Sequence, residues 1–448
     1  MQYVANTTQD KKDMLQTIGV ESFEDLLVDV PKELRTKGID LPQGISEMEL
    51  LSLLKQQGQK NFHSDRFACF LGAGVYDHYI PPLVNHLATR GEFITAYTPY
   101  QGEASQGTLQ TIYEYQSMIC MLTGMEASNA SMYDGASAVA EAVVLALRAK
   151  PGRTQVIVSD LLHPEYLETV KTYIDNLDSE IVVTQSKNGQ LDSKALEAAI
   201  NDKSACVVLQ NPNFFGFVEN AQNISDITHA AGALMIACVN PMTLGVLTPP
   251  GEYGADIAVG EGQPLGNAMA YGGPHFGFFA VSKALMRRLP GRIAGLTKDK
   301  DGRRAFVLTL QAREQHIRRE KATSNICTNH ALCALKALIF LSALGPHGFK
   351  RYSELNLERG HEAAKALGQL DGVEILHGDH KTPFFNEFVI RVEKDSKALE
   401  AAFTKNKIIG PLHLKRFNAD WQNHYLVAVT EQRSTGEIQR LAKSIQEA

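Results

Sequence analysis

Short apolar runs rich in valine and isoleucine alternate with helical segments through the middle of the chain. Five runs have this character: TQVIVS at 154–159, SEIVVT at 179–184, ACVVLQ at 205–210, ALMIAC at 233–238 and ADIAVG at 255–260. Segments 192–200 and 224–231 have helical spacing and lie between them. Strands that are apolar on both faces and separated by helices are typical of a mostly parallel sheet covered on both sides. The pattern therefore predicts an α/β fold.

Two longer helices are predicted before these strands. In segment 108–122 the apolar residues keep to one helical face, and Gly124 is a natural C-terminal stop. Segment 136–149 consists almost entirely of alanine, valine and leucine and ends before Pro151. A helix that is apolar all round must be buried.

The two ends of the chain have different patterns. In residues 1–62, Ser22 can cap a helix at 23–28, Pro31 starts a further turn, and Ser46 precedes a helix at 47–57 that ends at Gly58. We interpret this region as an N-terminal helical arm that wraps another body. Residues 63–328 form the predicted large α/β domain, and residues 329–448 a smaller C-terminal α+β domain.

The smaller domain is predicted from a few strong elements. A helix at 329–344 ends at Gly345 and Pro346, and a second helix follows at about 352–370. Two strands, FNEFVIRV at 385–392 and HYLVAVT at 424–430, and a closing helix at 435–447 complete it.

Composition narrows the classes of function. The 448 residues include 44 basic and 50 acidic side chains, and a net charge of −6 without a basic tail disfavours nucleic acid and anionic lipid as partners. Charged residues interrupt the first 15 positions, which argues against a signal peptide. The most apolar helical stretch, 332–344, contains Lys336 and is shorter than the roughly 20 residues that cross a bilayer. Six cysteines without a Cys-x-x-Cys spacing fit a reducing, cytoplasmic location.

Short motifs give weak signals. Gly72-Ala73-Gly74 lacks the third glycine of a dinucleotide site and is better interpreted as a turn. His78 and His86 have no metal-ligand spacing, so we expect no metal centre. His275, within a glycine-rich loop, is either functional or part of ordinary turn packing.

Two further segments carry candidate anion-binding groups. Small residues at 129–142 lead into a helix whose N-terminus can cradle a phosphate, but Asp134 is better explained as the cap of that helix, and its charge would repel a phosphate. Arg313, Arg318 and Arg319, with His316 and Lys321, form a cluster near the predicted domain junction. Arginines bind carboxylates in a bidentate fashion, although a solvated charge cluster is also possible.

Long segments of the chain resemble a known family. Segments 70–82, 96–138, 260–280 (GEGQPLGNAMAYGGPHFGFFA) and 291–329 closely resemble the alpha, or first, subunits of two-subunit glycine dehydrogenase (decarboxylating), the P-protein of the glycine cleavage system. The resemblance covers nearly the whole chain, and the chain is also similar to the N-terminal half of the single-chain form. It implies a type I pyridoxal-phosphate-dependent transferase fold, like that of aspartate aminotransferase.

The same resemblance implies that this chain lacks the cofactor's anchors. Enzymes of this fold hold the cofactor on a lysine and pair its ring nitrogen with an aspartate, so that the ring accepts electrons. Compared with the family's beta chain, this sequence has Gln263 at the lysine position and Cys238 at the aspartate position. Neither side chain can replace the residue it stands for, and Asp134 lies in the phosphate turn. We therefore expect no catalytic residue in this chain alone.

The family supplies the missing lysine on a second chain. The resemblance implies an alpha2beta2 enzyme in which the beta subunit holds pyridoxal phosphate and this chain completes the site from across the interface. Residues expected to reach the cofactor are Tyr97, Tyr100, Gln101, Gly273, Pro274 and His275; Arg313, Arg318 and Arg319 are the candidates for binding the carboxylate of glycine.

The implied reaction removes carbon dioxide from glycine and transfers the aminomethyl group to the lipoyl arm of the H-protein. An acidic carrier is expected to dock on Arg287, Arg288, Arg292, Arg303 and Arg304. Two alternatives stay open: a purely structural scaffold subunit, and a self-sufficient pyridoxal-phosphate enzyme that uses another lysine such as Lys283.

Overall fold

The computed structural model describes residues 5–36, 38–376 and 382–448. The chain divides into two compact units, Met1–Asn61 and Phe62–Ala448. The predicted boundary between residues 328 and 329 stays a prediction.

The first unit consists of short helices that bury nothing of their own. Helices α1 (Thr8–Ile18) and α2 (Glu47–Gly58) begin at capping boxes formed by Thr7 and Ser46. Short 3-10 turns follow Ser22 and Pro31, as predicted. None of the residues in these helices and turns is buried, so these described elements form no core of their own.

The second unit contains the remaining elements. Its helices are α3 (Pro82–Ala88), α4 (Gly91–Ile94), α5 (Gln106–Thr123), α6 (Gly135–Ala149), α7 (Pro164–Ile174), α8 (Ser193–Ala199), α9 (Ala221–Ala230), α10 (Gln315–Arg318), α11 (Ala331–Leu367), α12 (Ser396–Lys405) and α13 (Thr435–Glu447). Its strands are β1 (Ala68–Cys69), β2 (Ala127–Ser128), β3 (Gln155–Ser159), β4 (Glu180–Thr184), β5 (Ser186–Lys187), β6 (Gln190–Leu191), β7 (Ser204–Asn211), β8 (Leu234–Val239), β9 (Ile257–Glu261), β10 (Gly277–Val281), β11 (Ile293–Lys298), β12 (Arg304–Thr309), β13 (Val373–Ile375), β14 (Glu387–Val392), β15 (Ile408–Ile409), β16 (Leu412–His413) and β17 (His424–Ala428).

A seven-stranded sheet organises this unit. Its strand order is β2-β10-β9-β8-β7-β3-β4. Five neighbouring strands pair in parallel, in the order β4, β3, β7, β8 and β9. Strand β10 runs antiparallel to both β9 and β2. All five predicted runs form these parallel strands, so the predicted mostly parallel sheet is confirmed.

Alternate residues of the strands enter two different cores. On one face, Val156, Val158 and Val208 pack with the apolar helix α6 and with α7. On the other face, Ile157 and Val207 pack with α5 and α11. Each fully buried aliphatic side chain contributes about 1.5–3 kcal/mol. Burial on both faces explains why the strands lack a polar alternation.

The C-terminal part contains a four-stranded antiparallel sheet, in the order β13-β14-β17-β16. It shares a core with α12, α13 and the end of α11, which includes Phe388, Leu399 and Leu441. Strands β14 and β17 and helix α13 lie where the sequence predicts them.

Helix α11 differs from its prediction. The predicted break at Gly345 is present, because Gly345 has a backbone φ of 60° and ψ of −180°, outside the helical region. The second segment nevertheless resumes at once rather than near residue 352, since Pro346 fits the first turn of a helix, where its missing N–H costs nothing. By length and composition alone α11 is apolar enough to cross a membrane, a test that core helices also pass, and Phe340 and Leu341 lie in the core described above.

Candidate active-site interface

Two of the predicted functional segments meet at one cavity. The turn containing Tyr97, Thr98 and Pro99 and the loop ending at Pro274 both line a space of about 380 Å³. We call it the Arg292 cavity. The other residues around it are Ala96, Thr108, Ile112, Asn267, Ala268, Ala270, Arg292, Thr328, Asn329, His330, Ala331, Leu332, Cys333 and Lys336. This lining contains Arg292, His330 and Lys336 but no aspartate or glutamate.

Arg292 is the buried charge of this cavity. Its residue surface is only 5% exposed, and no carboxylate of the described residues lies within 4.0 Å of its guanidinium. The guanidinium donates a hydrogen bond of 3.2 Å to the hydroxyl of Tyr100 and lies 5.5 Å from the centre of that ring. Glu314 interacts electrostatically with Arg292 but forms no ion pair with it, so the buried guanidinium can still bind an anion supplied from outside the described residues.

The backbone around Arg292 is held rigidly. Its carbonyl oxygen accepts a 2.8 Å hydrogen bond from the N–H of Ala130. Two residues further on, the side-chain amide of Gln116 on α5 bonds both the N–H and the carbonyl of Ala294, at 2.9 Å each. Strand β11 and the arginine that directly precedes it are therefore fixed against α5, which favours a positioned guanidinium over a mobile surface one.

The N-terminus of α11 adds positive potential to the same cavity. Residues 331–333 begin the helix and line the cavity, and the preceding His330 makes no side-chain capping bond to the helix. Unsatisfied N–H groups at the start of a helix attract anions. Lys336 lies about one turn further along. The cavity therefore combines a buried arginine, a lysine and a helix N-terminus, a set that suits a phosphate or carboxylate group.

The remaining predicted cofactor residues lie beside the cavity. Tyr97 and Tyr100 are 84% and 62% exposed, and Gln101 is exposed as well. His275 is buried; its Nε2–H donates to the carbonyl of Met269 at 2.9 Å, and its own carbonyl contacts the ring of His330. Gly273 has a backbone φ of 137°, which favours glycine there. His275 therefore supports the loop from behind, while the tyrosines face outward.

The predicted carboxylate-binding arginines lie elsewhere. The guanidinium of Arg313 donates to the backbone carbonyls of Leu289 and Gly291, and it borders a separate small cavity. Arg318 and Arg319 are exposed, and Arg319 borders a surface pocket that also contains Glu141. The structure does not bring these three arginines to the Arg292 cavity. Because carbonyls already use both terminal nitrogens of Arg313, its role is to tie the segment 289–291 in place.

Gln263 and Cys238, predicted at the lysine and aspartate positions of the fold family's cofactor site, are tightly surrounded by protein. The side chain of Gln263 accepts from the N–H of Tyr76 at 2.9 Å and donates to the carbonyls of Tyr76 and Asn267 at 3.0 and 2.7 Å. Burial raises the pKa of the Cys238 thiol to about 12, so it stays neutral. The cavity beside these residues measures about 40 Å³, whereas ligand pockets typically measure about 300–1,000 Å³. These residues do not fit pyridoxal phosphate.

Asp134 caps helix α6, as the sequence favours. Its carboxylate accepts from the N–H of Ser137 at 2.7 Å, and the Ser137 hydroxyl accepts from the N–H of Asp134 at 3.2 Å.

His78 also has a structural environment: its Nδ1 lies 2.8 Å from Glu431, which in turn accepts from the hydroxyl of Tyr352 at 2.6 Å. Across residues 5–36, 38–376 and 382–448, no three His, Cys, Asp or Glu side chains are grouped to hold a metal ion.

Sequence reasoning missed several residues that line the Arg292 cavity and the 40 Å³ cavity. His330 and Lys336 gave no signal as anion-binding groups, because one lies at a helix start and the other within an apolar helix. Glu261 and Glu387 were also missed; both line the 40 Å³ cavity, and burial raises the pKa of each to about 7. The position of Glu261 two residues before Gln263 was the available signal for one of them.

A family model described as "Glycine cleavage system P-protein" matches residues 1–445 of this chain. The chain belongs to the glycine cleavage system P-protein family. A curated P-protein relative from Endomicrobium trichonymphae, named "Probable glycine dehydrogenase (decarboxylating) subunit 1", is 51% identical over 100% of both chains. The same name is given to a relative from Desulfitobacterium hafniense that is 47% identical over 100% of both chains.

Solved structures agree with the P-protein assignment. A crystal structure of glycine decarboxylase (P-protein) in inhibitor-bound form is 43% identical, covers 100% of both chains and gives a TM-score of 0.90. A sphingosine-1-phosphate lyase from Burkholderia pseudomallei is 14% identical, covers 93% of both chains and gives a TM-score of 0.65, a likeness in fold alone. The type I pyridoxal-phosphate fold predicted from the sequence is thereby confirmed.

Proposed function

We propose that this chain is the first subunit of a two-subunit glycine dehydrogenase (decarboxylating), with the cofactor on the second subunit. The observation that carries the proposal is a contrast between two places in the fold. The cavity beside Cys238, the residue predicted at the cofactor's aspartate position, measures only about 40 Å³, whereas the Arg292 cavity has an arginine and a lysine but no acidic residue in its lining. A chain that has a closed cofactor pocket and a separate cationic cavity is suited to complete an anionic site on a partner.

In the proposed enzyme, this chain's residues bind and orient an anionic group at the interface with the partner. Bound pyridoxal phosphate supplies an electron-accepting ring when glycine loses its carboxyl group. Arg292, Lys336 and the N-terminus of α11 bind an anionic group at the interface, either the cofactor phosphate or the carboxylate of glycine. The exposed Tyr97 and Tyr100 contact the partner and exclude water from the site.

Co-purification with and without the second subunit tests the proposal. We expect this chain alone to carry no pyridoxal phosphate and to catalyse no glycine-dependent exchange of bicarbonate. The combined alpha2beta2 complex should carry two cofactor molecules and perform the exchange. A stoichiometric cofactor on the isolated chain, bound through Lys283 or any other lysine, would contradict it.

The H-protein is the proposed acceptor of the aminomethyl group, and five arginines were predicted to guide it. Arg292 is buried and belongs to the cavity, so it cannot form an open docking surface. Arg287, Arg288, Arg303 and Arg304 are exposed. Arg303 and Arg304 lie where β11 turns into β12; the guanidinium of Arg303 lies 3.7 Å from the carboxylate of Asp301, and its backbone N–H donates to Asp299 at 2.8 Å.

Reversing the charge of this turn should weaken carrier binding. We expect R303E/R304E to raise the KM for the H-protein about five- to twenty-fold at low salt and to change kcat little, because exposed charges act mainly on encounter. Steady-state kinetics with the carrier, at low and high salt, measure the effect. The matched control is R351E, which changes an exposed arginine on α11. Equal KM values for both variants would remove this docking site.

A further inference from the structure

Helix α6 begins where strand β9 ends, and the junction is crowded. Glu261, the last residue of β9, lies beside Gly135, the first residue of α6. A Cβ atom placed on Gly135 would lie 2.8 Å from the backbone nitrogen of Glu261 and 2.5 Å from the hydroxyl of Tyr166. Only glycine fits this approach, so the helix start is pressed directly against the strand end.

The carboxylate of Glu261 occupies the N–H groups at this junction. One oxygen accepts from the N–H of Gly135 at 3.0 Å, and the other accepts from the N–H of Gln263 at 2.9 Å. The carboxylate of Asp134 accepts from the N–H of Ser137. The N–H groups of Gly135 and Ser137, two of the donors that would hold an external anion at the start of α6, are therefore bonded within the chain.

The surroundings leave Glu261 no counter-cation among the described residues that line its cavity. These include His163, Tyr166, Cys238, Glu387 and Gly74 but no lysine or arginine. Burial lowers the pKa of His163, whose ring instead bonds the carbonyl of Ala73 at 3.1 Å and the N–H of Glu165. The favourable partners of the Glu261 carboxylate are thus the two N–H groups and the positive end of α6.

We propose that Glu261 is an internal hydrogen-bond acceptor that takes the place of a phosphate at the N-terminus of α6 and closes this chain's own cofactor pocket. A phosphate at a helix N-terminus satisfies free N–H groups and the helix dipole. The Glu261 carboxylate satisfies the same groups without a ligand. The inference concerns this chain alone and does not depend on where the partner holds its cofactor.

The test removes this internal acceptor and asks whether a phosphate can replace it. In D134S/E261A, serine keeps the cap while both carboxyl groups disappear. We expect inorganic phosphate at about 20 mM to raise the Tm of this full-length variant by about 3–5 °C in a saturable manner, as a millimolar ligand does. The wild-type chain should respond to phosphate no more than to chloride of equal ionic strength. Pyridoxal phosphate should add no absorbance band to the variant, because the cavity cannot admit the ring.

A matched control and a second measurement keep the test decisive. E141Q removes another buried carboxyl from α6, one that accepts from the hydroxyl of Ser324 at 2.9 Å, and should gain no phosphate response. If D134S/E261A does not fold, E261Q is compared with wild type by hydrogen exchange of the peptide containing Gly135. We expect its exchange to accelerate at least ten-fold.

Three results would overturn the proposal. They are saturable binding of phosphate by the wild-type chain, a folded D134S/E261A that gains no response, and unchanged exchange at Gly135 in E261Q. The first would mean that the helix start is open, and the other two would mean that Glu261 does not hold it.

Discussion

Replacing Arg292 with leucine should lower kcat/KM for glycine about 100- to 1,000-fold in the assembled two-subunit enzyme. The guanidinium is buried in a cavity without a carboxylate, so its remaining hydrogen-bonding capacity is available to an incoming anion. Two charge-assisted hydrogen bonds at about 1.5–2 kcal/mol each amount to this loss in rate. Glycine-dependent bicarbonate exchange by the purified complex measures it, together with cofactor content.

Whether R292L changes the cofactor content or the KM for glycine identifies the anion that Arg292 binds. Loss of the cofactor from the complex would assign Arg292 to the phosphate, whereas full cofactor content with a raised KM for glycine would assign it to the substrate carboxylate. R292K should recover part of the activity because it keeps the charge but not the planar fork. The control R351L alters an exposed arginine on α11 and should leave kcat/KM within two-fold. A fully active R292L complex would show that Arg292 contributes nothing to the site.

Substituting alanine for Gly277 should destabilise the chain by about 3–5 kcal/mol. A Cβ atom at Gly277 would overlap the carbonyl oxygen of Asp134 and lie 3.0 Å from the Cβ of Met132. The backbone oxygen belongs to the N-terminal turn of α6 and cannot rotate away, so β10 and α6 would have to separate. Urea unfolding followed by circular dichroism measures the change as a lower transition midpoint.

Gly436 provides the matched control for this prediction. It lies in the first turn of α13, and a Cβ atom there would meet nothing within 4 Å. G436A should be neutral or stabilising by up to about 1 kcal/mol, because alanine loses less backbone entropy on forming a helix. Equal midpoints for G277A and G436A would mean that the junction of β10 and α6 yields without cost.

Local patterns were sufficient for most of the fold. The five valine- and isoleucine-rich runs form the parallel strands, and the alanine-rich segment before Pro151 forms the buried helix α6. The hairpin of β11 and β12 was not predicted, since its exposed residues Leu296 and Val307 give no clean alternation. That hairpin positions Arg292, so its absence from the prediction hid the main cavity residue.

The candidate site was predictable in part. The turn at Tyr97 and the loop at Pro274 were predicted from the family resemblance, and the structure brings both to one cavity. Arg313 was grouped with them because of its charge, but its guanidinium is bonded to backbone carbonyls. A linear cluster of arginines cannot reveal which side chain folds back on its own chain, because that depends on contacts between distant segments.

The sequence by itself determined the alternation of strands and helices, the cap at Asp134 and the break at Gly345. These depend on residue type and local spacing, which are read directly along the chain. Only the tertiary structure decided that Glu261 meets the start of α6, and that Arg292, His330 and Lys336 share one cavity free of acidic residues. These contacts join residues far apart in sequence. Their charges interact strongly only when the folded core has excluded the surrounding water.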